Sequence, residues 1–145
     1  MATISAAPQL ASRLRLAVAR TARRLRQEAG GGLSPTLTAA LASIENHGPL
    51  TPSEVADRER IKRPTATRLI GTLEEQGLVV RASDPTDLRS SLISITPAGR
   101  ELMRTLRTRK DAYLAQRLSR LSAEDRETLD RAADLLERLL EEEPA

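Results

Sequence analysis

The stretch from Lys62 to Gly77, KRPTATRLIGTLEEQG, decides the fold. Ala66, Leu69, Ile70 and Leu73 recur at helical spacing and share one stripe suited to burial. Pro64 stands where a first helical turn accepts proline, because that N–H has no intrahelical partner. Gly77 stands where a helix ends in the left-handed conformation. Lys62, Arg63, Thr65, Thr67 and Arg68 crowd the other side near the start. Cations and short hydroxyls on a rod about 10–12 Å across suit a major groove about 12 Å wide. Taken alone, the same residues make an ordinary surface helix with a basic end. Its neighbours in the chain separate the two readings.

Upstream, Thr51-Pro52-Ser53-Glu54 is a capping box, with Glu54 three residues after the Thr51 cap. A short helix follows to about Arg58, and a turn over Glu59–Arg63 leads into the organising helix. Two short helices joined by a tight turn, the second basic at its start, form a helix-turn-helix pattern. Arg63 is a poor cap by propensity, so tertiary contacts or a phosphate are expected to help define that helix start. Before this pair, Ser34 caps a helix opening at Pro35, with Leu37, Ala40, Leu41 and Ile44 as its stripe. It ends near His47, whose simplest role is a cation at a helix C-terminus.

Downstream, the period changes. Leu78–Arg81 and Ser91–Ile95 are β-prone and flank a turn-forming run, Ser83–Asp87. They predict a two-stranded hairpin with a long tip. Arg89 lies near that tip, and Asp87 is placed to pair with its guanidinium and hold it outward. A hairpin beside a recognition helix is a wing, and an arginine on it can enter a narrow minor groove. The plain alternative is an exposed ion pair contributing almost nothing.

The ends are helical. Residues 1–7 read as disordered, and a helix runs from about Pro8 to about Ala29, with Leu10, Leu14, Ala17, Val18, Thr21 and Leu25 on one face. Gly30-Gly31-Gly32 breaks it. Thr96-Pro97 caps a long helix bearing Leu102, Leu106, Tyr113, Leu114 and Leu118. Ser122 starts a last helix with Leu129, Ala132, Ala133, Leu136 and Leu140 in its stripe, widened by Leu135 and Leu139. A small winged unit cannot cover all of these leucines, and exposed apolar area of that size implies a partner surface. A second copy in a two-fold homodimer is the simplest partner. It would set two recognition helices one DNA turn apart, facing a palindromic operator. The domain reading is 1–33 and 97–145 for dimerisation and 34–96 for DNA binding.

Composition narrows the alternatives. The net charge is +3, yet Arg58–Arg68 holds five basic residues and one acid, a directed anion-binding patch. Phe and Trp are absent and Tyr113 is the one aromatic residue, which disfavours RNA modules that stack bases. There is no cysteine and a single histidine, so no disulfide, thiolate metal site or all-histidine metal site is available within one chain. No cofactor motif is present. An enzyme is disfavoured: no glycine-rich phosphate loop occurs, His47 has no identifiable partner, and Glu74 and Glu75 point about 100° apart. No apolar run approaches a membrane span, and arginines from Arg13 onward interrupt any signal-like segment, so a cytoplasmic protein is expected.

The order of parts resembles the MarR (multiple antibiotic resistance regulator) family of bacterial transcription regulators. The carrying residues are Pro64–Ile70 with Leu73–Val79, then Asp87-Leu88-Arg89-Ser90, then Ile95–Gly99. They correspond to a recognition helix, an Asp-x-Arg wing tip and a strand-to-helix cap. The resemblance spans about residues 10–140. It implies a mainly α fold with a small β-hairpin: a winged helix-turn-helix with long terminal dimerisation helices. It further implies a triangular homodimer and, usually, repression relieved by a small phenolic or anionic effector. DNA contacts would come from Lys62, Arg63, Pro64, Thr65, Thr67, Arg68, Thr72, Asp87 and Arg89. His47 and Tyr113 are the polar-aromatic candidates for the effector, although capping and packing explain each as well. Gly71 and Thr72 replace the acid and base of many members. Gly71 weakens the helix by roughly 1 kcal/mol relative to Ala and opens a close backbone approach to DNA, while Thr72 offers the groove less charge. A different class stays open: a winged-helix module that binds a protein through its leucine stripes and no DNA.

Overall fold

The computed structural model of the chain describes residues 2–141, with side chains from Ala7 onward. Six helices and one hairpin follow in order: α1 (Ala2–Ala29), α2 (Pro35–His47), α3 (Pro52–Glu59), α4 (Arg63–Glu75), β1 (Val79–Asp84), β2 (Asp87–Ile95), α5 (Pro97–Leu118) and α6 (Ala123–Glu141). Each start predicted from a hydroxyl cap is made. Ser34 accepts from the Leu37 amide, Thr96 from Gly99 and Ser122 from Asp125. Thr51 and Glu54 complete a reciprocal capping box.

The core gathers around α4. Ala66, Ile70 and Leu73 are buried, together with Leu41 and Ile44 of α2, Val55 of α3, Ile93 of β2 and Met103 of α5. Burying side chains such as Ile70 and Leu73 contributes roughly 1.5–3 kcal/mol each. The hairpin is antiparallel, with Val79 opposite Ile95 and Ser83 opposite Ser91. Leu50, just before α3, joins the hairpin through reciprocal backbone bonds with Ile93 of 3.0 and 2.7 Å. Thr96 then clasps three elements. Its hydroxyl donates to the Gly77 carbonyl at 2.7 Å, its amide donates to Leu78, and its oxygen caps α5. Gly99 has to be glycine, because a Cβ there would run into the Leu78 carbonyl. The wing, the end of α4 and the start of α5 are thereby fixed to one another.

Five expectations change. Helix α1 begins at Ala2, ahead of Pro8, which lies inside it; the alanine-rich start favours helix. The cap of α4 is Lys62, and Arg63 is already its first helical residue. The hairpin tip is short: only Pro85-Thr86 lie between the strands. Ser83, Asp84 and Asp87 are drawn into the strands by pairing. Of the apolar face read on α1, Leu14 and Leu25 are half-buried, while Leu10 and Val18 are exposed. The helix packs on α5 through a narrower line that ends at buried Ala29. Finally, α5 reaches the core through Met103, which the leucine stripe omits, while Leu106 is buried beside Gly31.

Two arginines of α5 make long-range links, one to α1 and one to the winged lobe. The Arg109 guanidinium donates to the Ala29 carbonyl at 2.8 Å and so caps α1. Arg107 pairs with Glu45 of α2 at 2.6 Å. Between α1 and α2, Gly30, Gly31 and Gly32 all have positive φ, of 64, 95 and 76°, a run that only glycine adopts readily. By contrast, α6 buries no residue, and Leu139 and Leu140 are 61 % and 74 % exposed.

Candidate nucleic-acid interface

Lys62 has extended backbone and makes no side-chain cap, so the first amides of α4 have no side-chain acceptor. Pro64, Thr67 and Arg68 are exposed, and Thr65 is half-buried. Positions 64, 67, 68 and 71 fall on one side of the helix, opposite the buried Ala66, Ile70 and Leu73. Among the described residues, the Lys62 ammonium and the Arg68 guanidinium have no protein partner. This end of α4 therefore combines unpaired cations, the positive end of a helix dipole and unsatisfied N–H groups, the ingredients of a phosphate site.

Arg63 is held differently from its neighbours. Its Nη1 donates to Ser53 Oγ at 2.6 Å, binding the start of α4 to the start of α3. The remaining donors of the guanidinium stay available. Thr72 is half-buried and its hydroxyl donates to the Arg68 carbonyl at 3.2 Å, so it is engaged within its own helix. Beside it, Gly71 has open space where a Cβ would lie. Gly71→Ala is therefore expected to stabilise the fold by about 1 kcal/mol. It is also expected to weaken duplex binding, by keeping the helix backbone away from the groove. Thermal unfolding and a duplex titration on the same sample check both signs.

The wing is pre-shaped. Ser83 pairs with Ser91 and Asp84 with Asp87, so Leu88, Arg89 and Ser90 form an excursion of β2 with no partners on β1. Asp84 Oδ1 accepts from the Thr86 amide at 2.9 Å and its hydroxyl at 2.8 Å. Those bonds hold the Asp84 carboxyl below the usual carboxylate range, the backbone one most. Asp87 and Arg89 do interact, but not as their charges suggest: Asp87 Oδ1 accepts from the Arg89 backbone N–H at 3.0 Å. The Arg89 guanidinium has no partner among the described residues. Asp87 thus shapes the chain that carries Arg89 and leaves the cation available.

Several supporting residues escape a reading of the sequence. Arg81 of β1 pairs with Glu74 at 3.0 Å, tying the wing to the C-terminal end of α4. Arg60 closes the helix-turn-helix bend in the left-handed region, with φ 53°. Glycine or asparagine would have signalled that bend; arginine does not.

The two effector candidates are not joined by any contact. His47 is exposed at the last turn of α2. Tyr113 lies between two arginines. Its hydroxyl accepts from Arg24 Nε and Arg117 Nε, both at 3.1 Å, and each guanidinium also stands over its ring at 5.7 and 5.2 Å. The Arg24 hydrogen bond leads in lowering the Tyr113 phenol below its ordinary pKa. Among the described residues no group of three or more His, Cys, Asp or Glu is placed to hold a metal. Among the described residues no helix is long and apolar enough to cross a membrane.

A helix-turn-helix with a pinned arginine-bearing wing defines a winged-helix DNA-binding protein. Comparison with known proteins agrees. The MarR family model matches residues 33–91. The uncharacterized HTH-type transcriptional regulator Mb0904 of Mycobacterium bovis is 39 % identical over 137 residues, covering 94 % of this chain and 96 % of that protein. A transcriptional regulator of Pseudomonas aeruginosa of known structure is 34 % identical, with a TM-score of 0.83 over 93 % of this chain and 96 % of that one. A MepR variant of S. aureus, solved bound to an oligodeoxyribonucleotide, has a TM-score of 0.69 over 92 % of this chain and 97 % of that one. At 22 % identity, that likeness is one of fold. The chain belongs to the MarR family: it is a DNA-binding transcriptional regulator of helix-turn-helix type, not an enzyme.

Proposed function

We propose that the protein acts in the cytoplasm as a homodimeric repressor that binds a palindromic operator and is released by a small phenolic or anionic effector. Residues 34–96 form the DNA-binding unit, and residues 1–33 and 97–145 contribute the dimer interface. Lys62, Arg63 and Arg68 contact phosphates or guanine edges, with Pro64, Thr65 and Thr67 closing on the groove. Thr72 supports the recognition helix from behind Arg68, and Asp87 presents Arg89 to the minor groove. The observation that carries the DNA-binding assignment is the pairing of an uncapped basic helix start with a partnerless arginine on a pinned wing. MepR, the neighbour solved with an oligodeoxyribonucleotide, supports the same reading.

The dimer follows from uncovered apolar side chains. Leu10 and Val18 on α1 and Leu135, Leu139 and Leu140 on α6 are exposed in the single chain, and mutual burial is the stable outcome. Repression needs no added surface, because a dimer laid over a promoter excludes polymerase by volume alone. For the effector, the Arg24–Tyr113–Arg117 cluster has the matching chemistry: its two guanidiniums attract an anion, and a ligand phenol can replace the tyrosine hydroxyl. Selection of bound duplexes from a random pool tests the assignment. The expected product is an inverted repeat with half-sites about one helical turn apart. A pool without enrichment, or one enriched in single unrepeated sites, would count against it.

A further inference from the structure

We propose that Leu88 is a DNA contact in its own right, an apolar finger that packs on the sugar walls of the minor groove beside Arg89. The inference rests on the reading that the wing binds duplex DNA. Lone exposed leucines are ordinary on protein surfaces and by themselves imply nothing. Leu88 differs in where it stands and how it is held. It is 86 % exposed, more than any other large apolar residue among those described. Apart from the Pro85 ring it is the one apolar side chain in the run Ser83–Ser91, which is otherwise Ser, Asp, Thr and Arg.

The tip around it is built rather than loose. Asp84 fixes the turn through Thr86, and Asp87 fixes the backbone of Arg89, so Leu88 lies between two restrained points of the unpaired excursion. Little conformational freedom remains to be lost there on binding. Asp84 and Asp87 also carry negative charge that repels phosphates. The tip therefore approaches a duplex favourably only with Arg89 leading, and only where an apolar surface faces its neighbour. The minor groove, about 6 Å wide, admits single side chains but no helix or ribbon, and deoxyribose lines its walls. Arginine and leucine together match that environment, the cation for its potential and the isobutyl group for its walls.

The two contacts have different signatures. An apolar contact releases no counterions, so removing it lowers affinity without changing the salt dependence. Removing a cation changes both. The experiment titrates wild type, Leu88→Ala, Leu88→Met and Arg89→Ala against the selected inverted-repeat duplex at several salt concentrations, with thermal unfolding of each. Leu88→Ala should bind about tenfold more weakly, the effect of losing partial burial of a leucine side chain. Its salt slope and unfolding temperature should match wild type, and Leu88→Met should restore most of the affinity. Unchanged affinity in Leu88→Ala would overturn the proposal. So would a salt slope reduced like that of Arg89→Ala, which would mean the substitution merely displaced Arg89. A lowered unfolding temperature would mark Leu88 as a packing residue and also overturn it. Failure of the wild type to bind any duplex would instead strike the DNA reading beneath it, taking this contact with it.

Discussion

Arg89→Ala is expected to weaken operator binding by roughly 5- to 150-fold, the range for losing one specific arginine contact. The fold should be unaffected, because the Arg89 guanidinium makes no hydrogen bond or ion pair among the described residues and its backbone bond to Asp87 survives the substitution. The slope of log affinity against log salt should fall by about 1. A duplex titration at several salt concentrations, with circular dichroism as the folding control, measures both. Binding equal to wild type would remove the minor-groove role of the wing. Had Asp87 been ion-paired with the guanidinium, DNA would first have to break that pair. With Asp87 engaged on the backbone instead, the cation is presented without that cost.

The second large effect concerns α6. Leu135→Glu combined with Leu139→Glu places two carboxylates on a face that is 52 % and 61 % exposed in the single chain. The winged lobe has no need of these residues, so it should stay folded. A dimer interface would have to bury both charges unpaired, and it should dissociate. Each lobe would then bind its half-site alone. Losing the second, linked contact should reduce operator affinity on the order of 10²–10⁴-fold. Light scattering reports the mass and a titration the affinity. A variant that remains a dimer with unchanged binding would place the interface elsewhere.

Much of this architecture was legible in the sequence, for local reasons. A helix start requires its cap within a few residues, so Ser34, Thr51 with Glu54, Thr96 and Ser122 could be recognised one by one. The stripe on α4 and the left-handed Gly77, with φ 74°, are likewise short-range properties. What stayed hidden is made at a distance or against propensity. The Leu50–Ile93 pairing joins residues 43 positions apart through their backbones, which leaves no residue-type signal. The bonds of Arg63 to Ser53 and Arg81 to Glu74 each choose one acceptor among many exposed candidates. All of Ser83–Asp87 favours turns, so composition alone predicts a long tip. Cross-strand pairing, invisible in composition, pulled three of those residues into strands.

The candidate site divides in the same way. Lys62, Pro64, Thr67 and Arg68 fall on the exposed side, where helical periodicity placed them. Thr72 also follows from periodicity, but its hydroxyl turns to its own helix, a choice that spacing cannot reveal. Tyr113 is conspicuous in the sequence as its one aromatic residue. Its two arginine partners come from α1 and from its own helix, and only packing of α1 on α5 brings Arg24 to it.

The decisive measurement is the mass of the wild-type protein, alone and on a duplex carrying the selected inverted repeat. Two chains in solution and two chains per duplex are predicted. A single chain that ignores every duplex, or one chain bound per inverted repeat, would contradict the account.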